Sequence, residues 1–196
     1  LEELTDCLLL LQKIGPTRTR SIGIIGGLAD GGGGISVSGS DACADNGLDI
    51  PELEPATAAR LRELIGEVGS ILRNPVDVSP AQFRGLDVLF KSIRLVASDP
   101  RVGLLIVQED VDIMLSYLGD RETDSINHFL STLADECHKP LVMVMPPGSC
   151  EFKRLAAIER LQDAGVPIFP TMSRAARAVS LVSHRPNSFT NTSSLQ

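Results

Sequence analysis

Tryptophan is absent from this chain of 196 residues, which holds one tyrosine and 6 phenylalanines. Little material is left for stacking on bases or sugar rings, the device on which single-stranded nucleic-acid sites rely. Basic charge is also short: 18 Lys and Arg stand against 25 Asp and Glu, a formal net charge of −7. Nucleic acid and anionic membrane surfaces need clustered cations, so neither is expected as the main partner. No apolar run approaches the ~20 residues of a membrane span, and the leucine cluster at 8–11 is too short and too near acidic residues for a secretory signal. Cys7, Cys43, Cys137 and Cys150 show no C-x-x-C spacing. They read as reduced thiols of a cytoplasmic protein rather than as a zinc site or a set of staples.

What is present alternates between short apolar runs and helical periods. Leu1, Leu4, Cys7, Leu8, Leu11 and Ile14 form the stripe of a leading helix over 1–15, stopped by Gly15-Pro16. A strand at about 21–26 empties into a loop containing Gly31, Gly32, Gly33 and Gly34, and a helix of small residues follows over about 35–47. Its small faces predict close packing, with Gly47 as the C-terminal stop. Leu48-Asp49-Ile50-Pro51 reads as a brief second strand, Pro55 starts a helix, and 72–80 is a loop bracketed by prolines. Phe83, Leu86, Leu89, Phe90, Ile93 and Val96 give a clean helical period. Buried strands at 102–107, 141–145 and 167–169 alternate with helices at about 124–137 and 150–164, and Ser173 caps a closing helix. An acidic connection spans 109–124, and 183–196 is a polar tail with a disordered composition. The alternation predicts an α/β, three-layer, flavodoxin-like domain over 1–182, with a mostly parallel five-stranded sheet in the order 2-1-3-4-5.

In such sheets ligands bind beyond the carboxyl ends of the strands, where the glycine loop and Pro146-Pro147-Gly148-Ser149 would both lie. Strand, glycine loop and helix together build an anion site, because glycine allows close backbone approach and the helix start offers unpaired N–H groups. The loop is neither a P-loop, for it has no lysine, nor a full dinucleotide fingerprint, for it lacks the third glycine. The remaining readings are a tight strand-to-helix turn or an anion held by backbone N–H alone, and the second fits the pattern better. Glu109, Asp110 and Asp112 do not follow the EF-hand pattern and read as solvated carboxylates. His128 reads as a solvated helix residue and His138 as a helix-end residue, and no histidine accompanies a nucleophile. Cys150 at a helix start would have a lowered pKa; the commoner role for such a residue is a small buried thiol.

The ordered motifs resemble one region of the NDP-forming acyl-CoA synthetases, the superfamily of succinyl-CoA synthetase and the ADP-forming acetyl-CoA synthetases. They are the glycine loop with its small helix and Asp41, Asn46-Gly47-Leu48-Asp49-Ile50-Pro51, Arg73-Asn74-Pro75-Val76-Asp77, Asp99-Pro100-Arg101-Val102-Gly103, Lys139-Pro140-Leu141-Val142, Gly165-Val166-Pro167-Ile168-Phe169 and Ser173-Arg174-Ala175-Ala176-Arg177-Ala178. The resemblance implies the C-terminal flavodoxin-like ligase domain of such an enzyme. In that superfamily a histidine on a neighbouring domain carries phosphate, and helix N-termini of two flavodoxin-like domains cradle it. On this chain the cradle would map to Gly31, Gly32, Gly33, Gly34, Ile35 and Ser36, with Asn74, Pro75 and Asp77 as an adjacent loop. The Ser-His-Thr-Gly motif of the phosphorylated histidine is missing, so no catalytic residue is assigned to this chain. By the same resemblance, CoA, ATP or ADP and Mg belong to the parent enzyme and none is bound tightly here. The implied partners are a CoA-binding, phosphohistidine-bearing domain and an ATP-grasp domain or subunit, with a homo-oligomer also open. The alternatives are a free-standing nucleotide or flavin module, in which Asp49 would meet a ribose, and a non-catalytic regulatory domain.

Overall fold

The apolar runs become parallel strands because each is followed by a helix that returns the chain to the same edge of the sheet. The computed structural model describes residues 1–28, 33–66, 72–82 and 84–183. The strands are β1 (Ile22–Leu28), β2 (Val76–Asp77), β3 (Leu104–Glu109), β4 (Leu141–Val144) and β5 (Ile168–Phe169), paired in the expected order β2-β1-β3-β4-β5. The helices are α1 (Glu2–Ile14), α2 (Gly33–Asp45), α3 (Pro55–Ile65), α4 (Ser79–Gln82), α5 (Leu86–Ser98), α6 (Val111–Tyr117), α7 (Asp120–Glu136), α8 (Glu151–Asp163) and α9 (Met172–Ser183). Side chains alternate across the sheet. Ile22, Ile24, Leu104, Ile106, Val142 and Val144 pack with α1, α2 and α9. Ile25, Val76, Leu105, Val107, Leu141 and Met143 pack with α3, α5, α7 and α8. Both faces are therefore covered, as the continuous apolar runs require.

The position beside β1 is assembled from three pieces rather than from the expected strand at Leu48-Asp49-Ile50-Pro51. Asp49 makes only an isolated bridge to Ser21, with its carbonyl accepting from Ile22 N–H at 2.7 Å. Above it the Asn74 side chain acts as a strand substitute. Its Oδ1 accepts from Ile24 N–H at 2.9 Å, and its Nδ2 donates to the carbonyls of Ile22 at 2.6 Å and Pro51 at 3.0 Å. Val76 and Asp77 then pair with Ile25 and Gly26. β2 thus lies inside the segment that reads as a loop. Pro51 and Pro75 cannot donate to a ladder, which excludes one continuous strand here.

Other differences have equally local causes. The leucine stripe of α1 faces outward, with Leu4 and Leu8 more than half exposed. The helix packs instead through buried Leu10 and Asp6, whose carboxylate is held by the Arg174 guanidinium of α9 at 2.6 and 2.8 Å. The acidic connection contains α6 and the start of α7. Thr171, not Ser173, caps α9, its Oγ1 accepting from Arg174 N–H at 3.3 Å. Ser183 still ends α9, while the tail from 184, His184 and Phe83 lie outside the described residues. The close packing expected of α2 is present: a Cβ on Gly39 would sit 3.3 Å from Ile24 and 3.4 Å from Met172. α2 ends as expected in a Schellman turn, with Gly47 at φ 63° and Leu48 N–H bonded to the Cys43 carbonyl.

Asp99 explains two of the motifs as structural. Its carboxylate accepts from Glu54 and Arg101 N–H, both at 2.9 Å, and its carbonyl accepts from Lys139 Nζ.

Candidate functional site

Among the described residues, five helices begin at the carboxyl edge of the sheet: α2, α4, α6, α8 and α9. Four have their leading N–H groups met by a side chain of the domain itself. Asp77 Oδ1 accepts from Ser79 N–H at 2.9 Å, Asp110 Oδ1 from Ile113 N–H at 3.1 Å, and Thr171 closes α9. At α8 the Asp112 carboxylate accepts from Ser149 N–H and, at 2.8 Å, from Cys150 N–H. A Cβ on Gly148 would lie 2.8 Å from that carboxylate, so the site is shaped around it. These backbone bonds hold the Asp112 carboxyl below its usual range.

α2 differs. It begins at Gly33 after the end of β1, with Gly31 and Gly32 outside the described residues. Among the described residues no side chain closes its N-terminus, and its first turn carries no acidic residue. Gly34 is exposed, and a Cβ there would meet nothing within 4 Å. Ser36 is 3% exposed, and its Oγ has no hydrogen-bond partner. The side chain of Ile35 is not described. Helix starts in general favour an anion, through their leading N–H groups and the positive end of the dipole.

One residue that governs this edge escaped the sequence reading. Gly27, near the end of β1, has φ 82°, and a Cβ there would fall 2.2 Å from Asp77 Oδ1 and 2.8 Å from Ser79 N. Only glycine fits both the backbone and the space. The available signal was a glycine pair closing an apolar strand, which marks close backbone approach. Asp77, 4% exposed, lies against Gly27 near the end of β1. Asn74, followed by Pro75, bonds to β1 at Ile22 and Ile24, further back along the strand.

The acidic trio is not solvated as expected. Glu109 is fully buried, which pushes its carboxyl up to about 7; Asp110 and Asp112 are both engaged as helix caps. Cys150 is exposed rather than buried, and its pKa is raised, by desolvation first and then by the Asp112 carboxylate. The helix start does not lower it because Asp112 already neutralises that end. His128 and His138 are exposed. Asp49 sits at the amino end of β1, the opposite edge of the sheet from the start of α2. Surface grooves of ≈ 420 and ≈ 430 Å³ flank α5, on the sheet face opposite α2. Among the described residues no helix is long and apolar enough to cross a membrane, and no group of three metal-ligating side chains forms.

A five-stranded parallel sheet in the order β2-β1-β3-β4-β5 with helices on both faces defines the class: a doubly wound, flavodoxin-like α/β domain. The sequence model of the Ligase-CoA domain matches residues 24–186, and the chain belongs to that family. PH0766 from Pyrococcus horikoshii OT3, known from its crystal structure, is similar in fold. Its TM-score is 0.71 at 23% identity, covering 93% of this chain and 39% of that one. This chain thus corresponds to well under half of that protein's length. No curated protein matches it.

Proposed function

We propose that this chain is the domain of an NDP-forming acyl-CoA synthetase that receives, at the N-terminus of α2, the phosphoryl group of a phosphohistidine carried by a neighbouring domain. The observation that carries this reading is the contrast at the carboxyl edge: α4, α6, α8 and α9 are closed by Asp77, Asp110, Asp112 and Thr171, and α2 is not closed by any described residue. Backbone N–H groups from Gly33 onward, the helix dipole and the Ser36 hydroxyl supply the attraction that a lysine supplies in a P-loop. The residues needed are small because the phosphoryl group arrives on a bulky side chain and must approach backbone directly. The chain's role is electrostatic: it holds the charge of the transferred group, while the histidine and the CoA, ATP or ADP and Mg sites belong to partner domains. The overall reaction is acid + CoA + ATP giving acyl-CoA + ADP + phosphate.

Gly34 offers a clean test because a side chain there has open space within the domain. In the assembled enzyme Gly34→Leu is expected to lower phosphoryl transfer about 100-fold or more with the thermal midpoint of this domain unchanged. Wild-type transfer by a folded Gly34→Leu enzyme would refute the reading.

A further inference from the structure

Two buried acceptors lie unpaired on facing elements. Glu109 closes β3 with no side-chain exposure, continuing the sheet face of Leu105 and Val107. Asn127 of α7 is 2% exposed and donates from Nδ2 to Glu109 Oε1 and to the Thr123 carbonyl, both at 3.1 Å. Glu109 Oε2 and Asn127 Oδ1 have no hydrogen-bond partner. An ionised carboxylate and an amide oxygen are both acceptors only, so an ionised Glu109 would leave each of these atoms desolvated and unmet. A single proton on Oε2 would meet both, Oε2–H donating to Oδ1 beside the Nδ2–H bond to Oε1.

We propose that Glu109 is held as the neutral carboxylic acid in a two-bond pair with Asn127, and that loss of this proton opens the pair and loosens the carboxyl edge of the sheet. The surroundings favour the neutral form. In the sheet Glu109 lies beside Leu28, the last residue of β1. α6 turns Val111 and Met114 inward, and α7 faces it with neutral Asn127. Asp110 is the charge that acts on it, a like charge that opposes ionisation, and no cation acts on it among the described residues. Burial accordingly lifts the carboxyl from 4.5 to about 7.

The sign of the effect follows. Between pH 4.5 and about 7 the unfolded chain releases this proton and the folded chain keeps it. Stability therefore falls as pH rises through that window and levels off above it, and the full linkage amounts to roughly 300-fold in the unfolding equilibrium.

The test is denaturant unfolding of the 196-residue chain and its Glu109→Gln variant from pH 5.5 to 8, with infrared spectra of both. The amide introduced by this substitution carries the donor and acceptor of the neutral acid at every pH. The variant should lose most of the fall in stability with pH and exceed the wild type at pH 8. At pH 6, where exposed carboxylates are ionised, the wild type should show a protonated-carboxyl band that the variant lacks. An unchanged pH slope in the variant, or no such band in the wild type, would overturn the proposal. The infrared result decides the matter even if the variant does not fold.

Discussion

The N-termini of α2 and α8 stand on the same edge of the same sheet and have opposite fates. At α8 the Asp112 carboxylate stands at the helix start, accepting from the Ser149 and Cys150 N–H groups. α2 starts from glycine with no described side chain in that place, and the hydroxyl of its Ser36 is unpaired. A helix start in general favours an anion, and what distinguishes these two among the described residues is whether a carboxylate of the domain stands at it. The preceding segments differ: Pro146, Pro147 and Gly148 bring Ser149 and Cys150 within reach of Asp112 of α6, whereas Gly27 near the end of β1 packs against Asp77.

The contrast is broken most severely at Gly27. Gly27→Val forces a β-branched side chain into a positive φ and against Asp77 and the Ser79 backbone. The expected loss is about 3 kcal/mol or more, read from denaturant unfolding; a loss below about 1 kcal/mol would mean that this turn does not govern the edge. Asp112→Asn sharpens the contrast from the other side. It removes the charge that closes α8 while keeping an acceptor there, so the Cys150 thiol should ionise more readily. Alkylation of Cys150 at neutral pH, followed by peptide mass spectrometry, should accelerate roughly fivefold. An unchanged rate would show that Asp112 does not neutralise that helix start.

Much of this organisation was legible from residue type and period. Strand order, the two-faced core and the small helix α2 follow from apolar runs, helical spacing and glycine placement. What escaped depends on contacts distant in sequence. Asn74 replaces a strand by bonding to residues some 50 positions away, and no local pattern announces that. Asp112 reads as a solvated carboxylate until α8 is brought against it. Glu109 is charged by composition, yet it ends a strand buried on both faces, so the fold neutralises it. The stripe on α1 was a real helical signal, but its docking is set by Asp6 and Arg174 rather than by its leucines. In the glycine-rich segment 31–34 the residue types suggest an anion, whereas the side chains at the neighbouring helix starts emerged only from the fold.

The central claim is tested most directly by titrating the isotope-labelled chain with phosphoimidazole and following backbone amide chemical shifts. The account predicts saturable shifts at Gly33, Gly34 and Ser36, with Ser149 and Cys150 unmoved. Shifts at Ser149 and Cys150, or none at the start of α2, would contradict it.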